Sequence, residues 1–121
     1  MDVIVKNIDP MIEEEVLVSD GNTEFVVFAN VCPYPLEIGK TYSVELNLVF
    51  LDELNYEELT ELDENIERID NSFGYRIVGF LDKGVLFALG IPFVCDDLDG
   101  MSYLYGKWIG LDVDRISAEF R

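Results

Sequence analysis

The chain contains no histidine and only two cysteines, Cys32 and Cys95, among its 121 residues. Histidine is the commonest general base of enzymes and the usual partner of a serine or cysteine nucleophile, so its absence argues against most hydrolytic mechanisms. The sequence also lacks the Walker, G-x-G-x-x-G, H-E-x-x-H and G-x-S-x-G motifs. We therefore expect a protein that is not an enzyme and that needs no cofactor and no metal.

Basic residues are scarce. Eight lysines and arginines stand against 25 aspartates and glutamates, which gives a formal net charge of −17. Such a charge repels phosphate backbones and anionic lipid surfaces, and it attracts basic proteins. Direct binding of nucleic acid or of a membrane is therefore not expected, whereas a basic protein partner is.

Long hydrophobic runs are missing as well. Residues Met1 to Pro10 contain no apolar run of signal-peptide length, and no segment of the sequence approaches the length of a membrane-spanning helix. Hydrophobic residues nevertheless make up 50% of the chain, which is enough for a folded core. We predict a single domain over residues 1–121, located in the cytoplasm, where both cysteines would be reduced.

The first half of the chain shows the alternation of half-buried β-strands. Apolar and polar residues alternate from Thr41 to Phe50, which predicts a strand with one buried face. Two earlier strands are predicted on either side of Asp20-Gly21, a strong hairpin signal. With a two-residue turn, Val16 would lie opposite Phe25.

A helix is predicted next, from Asn55 to Asp70. Its apolar residues recur at intervals of three and four, and Asn55 with Glu58 fits a capping box. The inward stripe would consist of Tyr56, Leu59, Leu62, Ile66 and Ile69. Several acidic pairs at i,i+4 would repel one another along this helix, at a cost of tenths of a kcal/mol each.

Further strands follow the predicted helix. Tyr75–Leu81 and Val85–Phe93 form a predicted hairpin with a three-residue loop, which would place Phe80 opposite Leu86. A long strand is predicted from Tyr103 to Phe120. The parity of its apolar residues slips once near Asp114, which indicates a β-bulge.

Strands, one helix and then more strands predict a mainly β fold with one helix. This element order resembles that of the OB-fold, so the first expectation is a small antiparallel β-barrel. The alternative is an α+β fold in which the helix packs on an antiparallel sheet. Some strands carry apolar residues on both faces, so a homodimer is a further prediction.

Two surfaces are candidates for function. The first is the acidic face of the predicted helix, which would dock a basic partner in the manner of an inhibitor, an immunity protein or a nucleic-acid mimic. Its candidate residues are Glu57, Glu58, Glu61 and Glu64. The second is an aromatic face that would bind a small molecule or an oligosaccharide. Its candidate residues are Tyr34, Tyr103, Tyr105 and Trp108.

Overall fold

The protein is built from β-strands that form one mixed sheet. The computed structural model describes residues 1–51, 53–60 and 63–121. Within these ranges, 11 strands bond in the order β1-β2-β3-β11-β4-β9-β8-β7-β10-β5, with β6 beside β7 and an additional pairing of β1 with β4. The pairs β3–β11 and β4–β9 are parallel and the others are antiparallel.

The strands are four to nine residues long. They span Asp2–Ile8 (β1), Glu15–Ser19 (β2), Glu24–Val31 (β3), Thr41–Val49 (β4), Asn55–Leu59 (β5), Asn65–Arg68 (β6), Tyr75–Asp82 (β7), Val85–Ala88 (β8), Ile91–Val94 (β9), Lys107–Val113 (β10) and Arg115–Phe120 (β11). Single turns of 3-10 helix occupy Asp96–Leu98 and Ser102–Leu104.

The predicted fold class is wrong in both of its forms. The described residues contain no α-helix, so neither an OB-like barrel with a helix nor a helix packed on an antiparallel sheet describes the molecule. The strands instead belong to one large sheet of mixed direction. Within the described part of the chain, no helix is long and apolar enough to cross a bilayer.

The segment predicted as a helix, Asn55 to Asp70, forms two strands instead. β5 pairs with β10, and β6 pairs with β7, each in antiparallel register. The stripe expected to face inward is only partly covered: Leu59 and Ile66 are half-buried and Ile69 is exposed. Leu62 lies outside the described residues.

The strands with one apolar face follow the sequence closely. In β4 the alternate residues Val44, Leu46 and Leu48 are buried, as predicted. The parity slip near Asp114 marks a break between two strands and not a β-bulge within one, because β10 ends at Val113, β11 begins at Arg115, and the two pair with different strands. The long strand does not begin at Tyr103, however, since that residue lies in a 3-10 turn.

Both predicted hairpins form, but with other registers. In β2–β3 the closing pair is Ser19 with Glu24, so Val16 lies opposite Val27 rather than Phe25. The Asp20 carboxylate accepts the backbone N–H groups of Asn22 and Thr23, which stabilises this longer turn.

In β7–β8 the turn has two residues, Lys83 and Gly84, both with positive φ. This turn matches the twist of the strands, and it places Phe80 opposite Phe87 instead of Leu86.

The core is one cluster of buried apolar side chains that come from strands along most of the sheet. Phe25 of β3 packs edge-on against Phe93 of β9, with ring centroids 6.0 Å apart. On the far side of β3, Phe28 contacts Phe73 in the turn between β6 and β7, and the Arg115 guanidinium lies 4.2 Å from the centre of the Phe28 ring. These contacts join β3 to the part of the chain that carries β6 and β7.

The two cysteines lie in different environments and do not form a disulfide. Cys32 is exposed and Cys95 is buried. Burial, reinforced by the nearby Asp97 carboxylate, raises the pKa of the Cys95 thiol to about 12. This thiol therefore stays protonated, and unreactive toward electrophiles, near neutral pH.

We expect one thiol of the native protein to react with a thiol-specific reagent such as iodoacetamide at mildly alkaline pH, and two in denaturant. Mass spectrometry of the labelled peptides should place the native label on Cys32, because Cys95 is both inaccessible and protonated. A Cys32→Ser variant is the control and should be unlabelled while folded. Rapid labelling of Cys95 in that variant would show that the β9 end opens readily.

Candidate functional site

The edge strand β5 is the most exposed strand of the sheet. It pairs with β10 from Leu59 opposite Trp108 to Asn55 opposite Asp112. In the described ranges no strand bonds to its other side. Residues 55–58 are exposed and Leu59 is half-buried. Because side chains alternate along a strand, Glu57 and Glu58 point to opposite faces of the sheet.

On one face, an arginine from β7 reaches across β10 to β5. The Arg76 guanidinium lies 3.1 Å from the Glu57 carboxylate and 3.3 Å from the Asp112 carboxylate. Gly110 of β10 makes this path possible, since a Cβ atom there would lie 2.5 Å from an Arg76 guanidinium nitrogen. Arg76 therefore holds the edge strand to the sheet through Glu57 and fixes the position of that carboxylate.

On the other face, two further contacts hold β5. The Glu58 carboxylate lies 3.0 Å from the Lys107 ammonium group. The hydroxyls of Tyr56 and Tyr103 are 3.0 Å apart and share a hydrogen bond, which raises the pKa of Tyr103. The edge strand is thus anchored on both faces by side chains, while its outer backbone edge stays open in the described residues.

An acidic hollow adjoins the start of β5. It has a volume of about 540 Å³ and is lined by Glu53, Asn55, Asp112 and Asp114. One oxygen of the Asp114 carboxylate accepts the backbone N–H of Leu51 at 2.6 Å, which fixes its position. We call this hollow, together with Glu57 and Glu58 on the two faces of the adjoining edge strand, the β5 surface. Like charges so close together favour a cationic neighbour.

The four acids predicted to bind a partner do not share one helical face. Glu57 and Glu58 lie on opposite faces of β5, and each contacts a cation. Glu64 is half-buried just before β6, and Glu61 lies outside the described residues. Two of the four acids therefore lie on the exposed edge strand. The predicted helical surface is absent, and these two acids belong to the edge of a sheet.

The four aromatic candidates lie in separate surroundings. The Tyr34 hydroxyl donates to the backbone carbonyl of Arg121 at 2.6 Å, and its ring stacks on Tyr42. The Trp108 ring packs against Phe80 with centroids 5.4 Å apart.

The other two aromatic candidates have different neighbours again. Tyr103 contacts Tyr56, and Tyr105 packs against the core. No ring-to-ring contact joins two of the four candidates within the described ranges.

The side chains that organise the β5 surface include three that were not among the functional candidates predicted from sequence. These are Arg76, Lys107 and Tyr56, which hold the edge strand from its two faces. A signal was present, because Glu57 and Glu58 are adjacent and would lie on opposite faces only in a strand. Their cationic partners are distant in sequence, and only the strand pairing reveals them.

The described residues contain no group of three or more aspartate, glutamate or cysteine side chains placed to hold a metal ion. The acidic hollow therefore has carboxylates without a convergent set of ligands. Its chemistry is that of a charged surface, suited to ion pairs and hydrogen bonds with a cationic partner.

Comparison with known proteins places the chain in a family. A family model described as "Uncharacterised conserved protein UCP019853" matches residues 1–121, and the chain belongs to this family. No curated protein and no solved structure matches it.

Proposed function

We propose that this protein is a non-catalytic binding module that docks a basic protein in the cytoplasm through the β5 surface. The observation that carries the proposal is the exposed, doubly anchored edge strand with Glu57 and Glu58, which adjoins the acidic hollow of Glu53, Asp112 and Asp114. Ion pairs and a hydrogen bond already hold the carboxylates of Glu57, Glu58, Asp112 and Asp114, so these groups lose less conformational freedom when they bind a cation.

The charge of the whole chain supports the same partner class. A net charge of −17 attracts basic proteins over a distance and raises their rate of association. Among the described residues, acids are paired with cations in six ion pairs, so most of the 25 acids add to the field. An inhibitor or immunity-type protein, or a mimic of nucleic acid, works by this chemistry.

The experiment is affinity capture with the immobilised protein from a cytoplasmic lysate at low and at high salt. We expect captured proteins with basic isoelectric points, which are released at high salt because screening weakens ion pairs. A Glu57→Gln/Glu58→Gln variant should capture them less well, since it removes two charges from the β5 surface and keeps the side-chain shape.

The matched control is Glu13→Gln/Glu14→Gln, which removes two adjacent, exposed acids outside β5. It should leave capture nearly unchanged. Capture that is insensitive to salt, or equal loss in both variants, contradicts docking at the β5 surface. Circular dichroism of each variant checks that it keeps its strand content.

A further inference from the structure

We propose that the basic partner adds a strand to the sheet at β5, pairing its extended backbone with the open edge of Asn55–Leu59. The inference rests on the proposed function for the sign of the partner's charge and adds the mode of binding. A strand at the end of a sheet presents N–H and C=O groups that an incoming extended segment can pair with. β5 is such a strand, because its only partner in the described residues is β10.

The side chains of β5 then specify the sequence of the added strand. Residues directly opposite one another on paired strands are in contact, and opposite charges there are favourable. Opposite Glu57 and Glu58, we expect the added strand to carry two adjacent lysines or arginines, one on each face of the sheet. Tyr56 and Leu59 flank them and call for apolar side chains.

The segment expected to bind therefore reads apolar–basic–basic–apolar. This pattern is the same in both chain directions, so it applies to parallel and to antiparallel addition.

Both glutamates retain capacity for a second cation. Their side chains are 63% and 52% exposed, and each contacts one cation within the described residues. An ionised carboxylate has two oxygens and about four acceptor positions, so Arg76 or Lys107 can stay bound while an incoming ammonium group approaches from the open side. The existing pairs also hold the carboxylates in place before the partner arrives.

A second copy of this chain is a poor occupant of the same edge. Symmetric antiparallel pairing of β5 with itself about a two-fold axis at Glu57 would place Glu57 opposite its own copy, and an axis at Glu58 would do the same for Glu58. Like charges directly opposite on paired strands are destabilising. The acidic edge thus resists self-association, which is a known hazard of free sheet edges, while it accepts a basic strand.

The test uses three labelled synthetic peptides and the intact protein, with binding measured by fluorescence anisotropy at low salt. The first peptide is acetyl-Thr-Val-Lys-Lys-Val-Thr-amide. The second is the same peptide N-methylated at both lysines and both valines, which removes the four central backbone donors. The third is the scrambled peptide Lys-Val-Thr-Thr-Val-Lys. All three carry the same side-chain charge.

We expect the first peptide to bind at least about tenfold more tightly than the N-methylated one, because two or more backbone hydrogen bonds are lost. Glu57→Gln/Glu58→Gln should weaken its binding about fivefold, and Glu13→Gln/Glu14→Gln should not. Hydrogen exchange of the backbone amides of residues 55–59 should slow when the first peptide is bound.

Equal binding of the three peptides, with loss in the Glu57→Gln/Glu58→Gln variant, would overturn strand addition and leave docking by charge intact. Tight binding of the N-methylated peptide without slower exchange in β5 would overturn it too. Failure of all three peptides to bind at low salt would count against strand addition and against the proposed acidic docking surface together.

Discussion

The variant Phe93→Ala is expected to unfold with a free energy about 3–5 kcal/mol lower than that of the parent protein. Phe93 lies on β9 with 0% of its surface exposed, and its ring packs edge-on against Phe25 of β3. Truncation removes apolar contacts on both sides and leaves a cavity that the paired strands around it cannot close. Urea denaturation followed by tryptophan fluorescence and circular dichroism measures the change.

Phe87→Ala is the matched control for this prediction. Phe87 lies on the neighbouring strand β8 and is 40% exposed. Its loss should cost about 1 kcal/mol or less, because its ring contacts only one face of the sheet. Similar losses in the two variants would show that Phe93 does not pack in the core against Phe25 of β3 as the structure indicates.

Strands with one buried face were predictable from sequence. Val44, Leu46 and Leu48 alternate with polar residues because one face of β4 packs on the core and the other does not. The change of strand at Asp114 was visible for the same reason, since the apolar parity slips where the chain leaves β10 for β11. Burial on one side leaves a period of two in the sequence, and that period is local information.

The predicted helix was wrong because β5 and β6 lack this local information. Residues 55–58 are all exposed, so the edge strand shows no alternation, and chance spacing of Leu59, Ile66 and Ile69 imitated a helical stripe. What holds β5 is its pairing with β10, in which Tyr56 lies opposite Leu111. Pairing over more than fifty residues of sequence leaves no trace in a short window.

Charge was the signal that favoured the strand. A helix would have placed Glu57 one turn from Glu53, with like charges on one face. The strand sends Glu57 and Glu58 to opposite faces, where Arg76 and Lys107 meet them. Repulsion of tenths of a kcal/mol per pair is small, yet several such pairs add up when the apolar stripe is incomplete.

The composition of the candidate site was predictable from sequence, and its geometry was not. The excess of acids indicates a basic partner whatever the fold. The sheet edge, the arginine lying over Gly110 and the hollow beside Asp114 all depend on strand order. The same strand order makes acidic residues useful at this edge, because they discourage pairing between copies of the chain.

Any side chain at position 79 is expected to lower the free energy of unfolding strongly. Gly79 lies in β7, and a Cβ atom there would lie 2.9 Å from the carbonyl carbon of Phe87 and closer still to its oxygen. Both are backbone atoms of β8, so no side chain can turn aside, and the β7–β8 pairing would have to move. We expect Gly79→Ala to lower the free energy of unfolding by about 3 kcal/mol, the upper end of the usual cost of overpacking.

Gly110→Ala separates this backbone clash from the general effect of adding a methyl group to a buried strand glycine. Gly110 is opposite Val78 in the same β7–β10 ladder, but the atoms nearest to its added Cβ would be those of the Arg76 guanidinium. That group sits at the end of a flexible side chain, so it can move aside at the cost of partly exposed ion pairs, about 1 kcal/mol or less. In parallel thermal and urea denaturation, Gly79→Ala should therefore lose clearly more stability than Gly110→Ala. Equal losses would mean that β7 and β8 do not approach each other at Gly79 as closely as the structure shows.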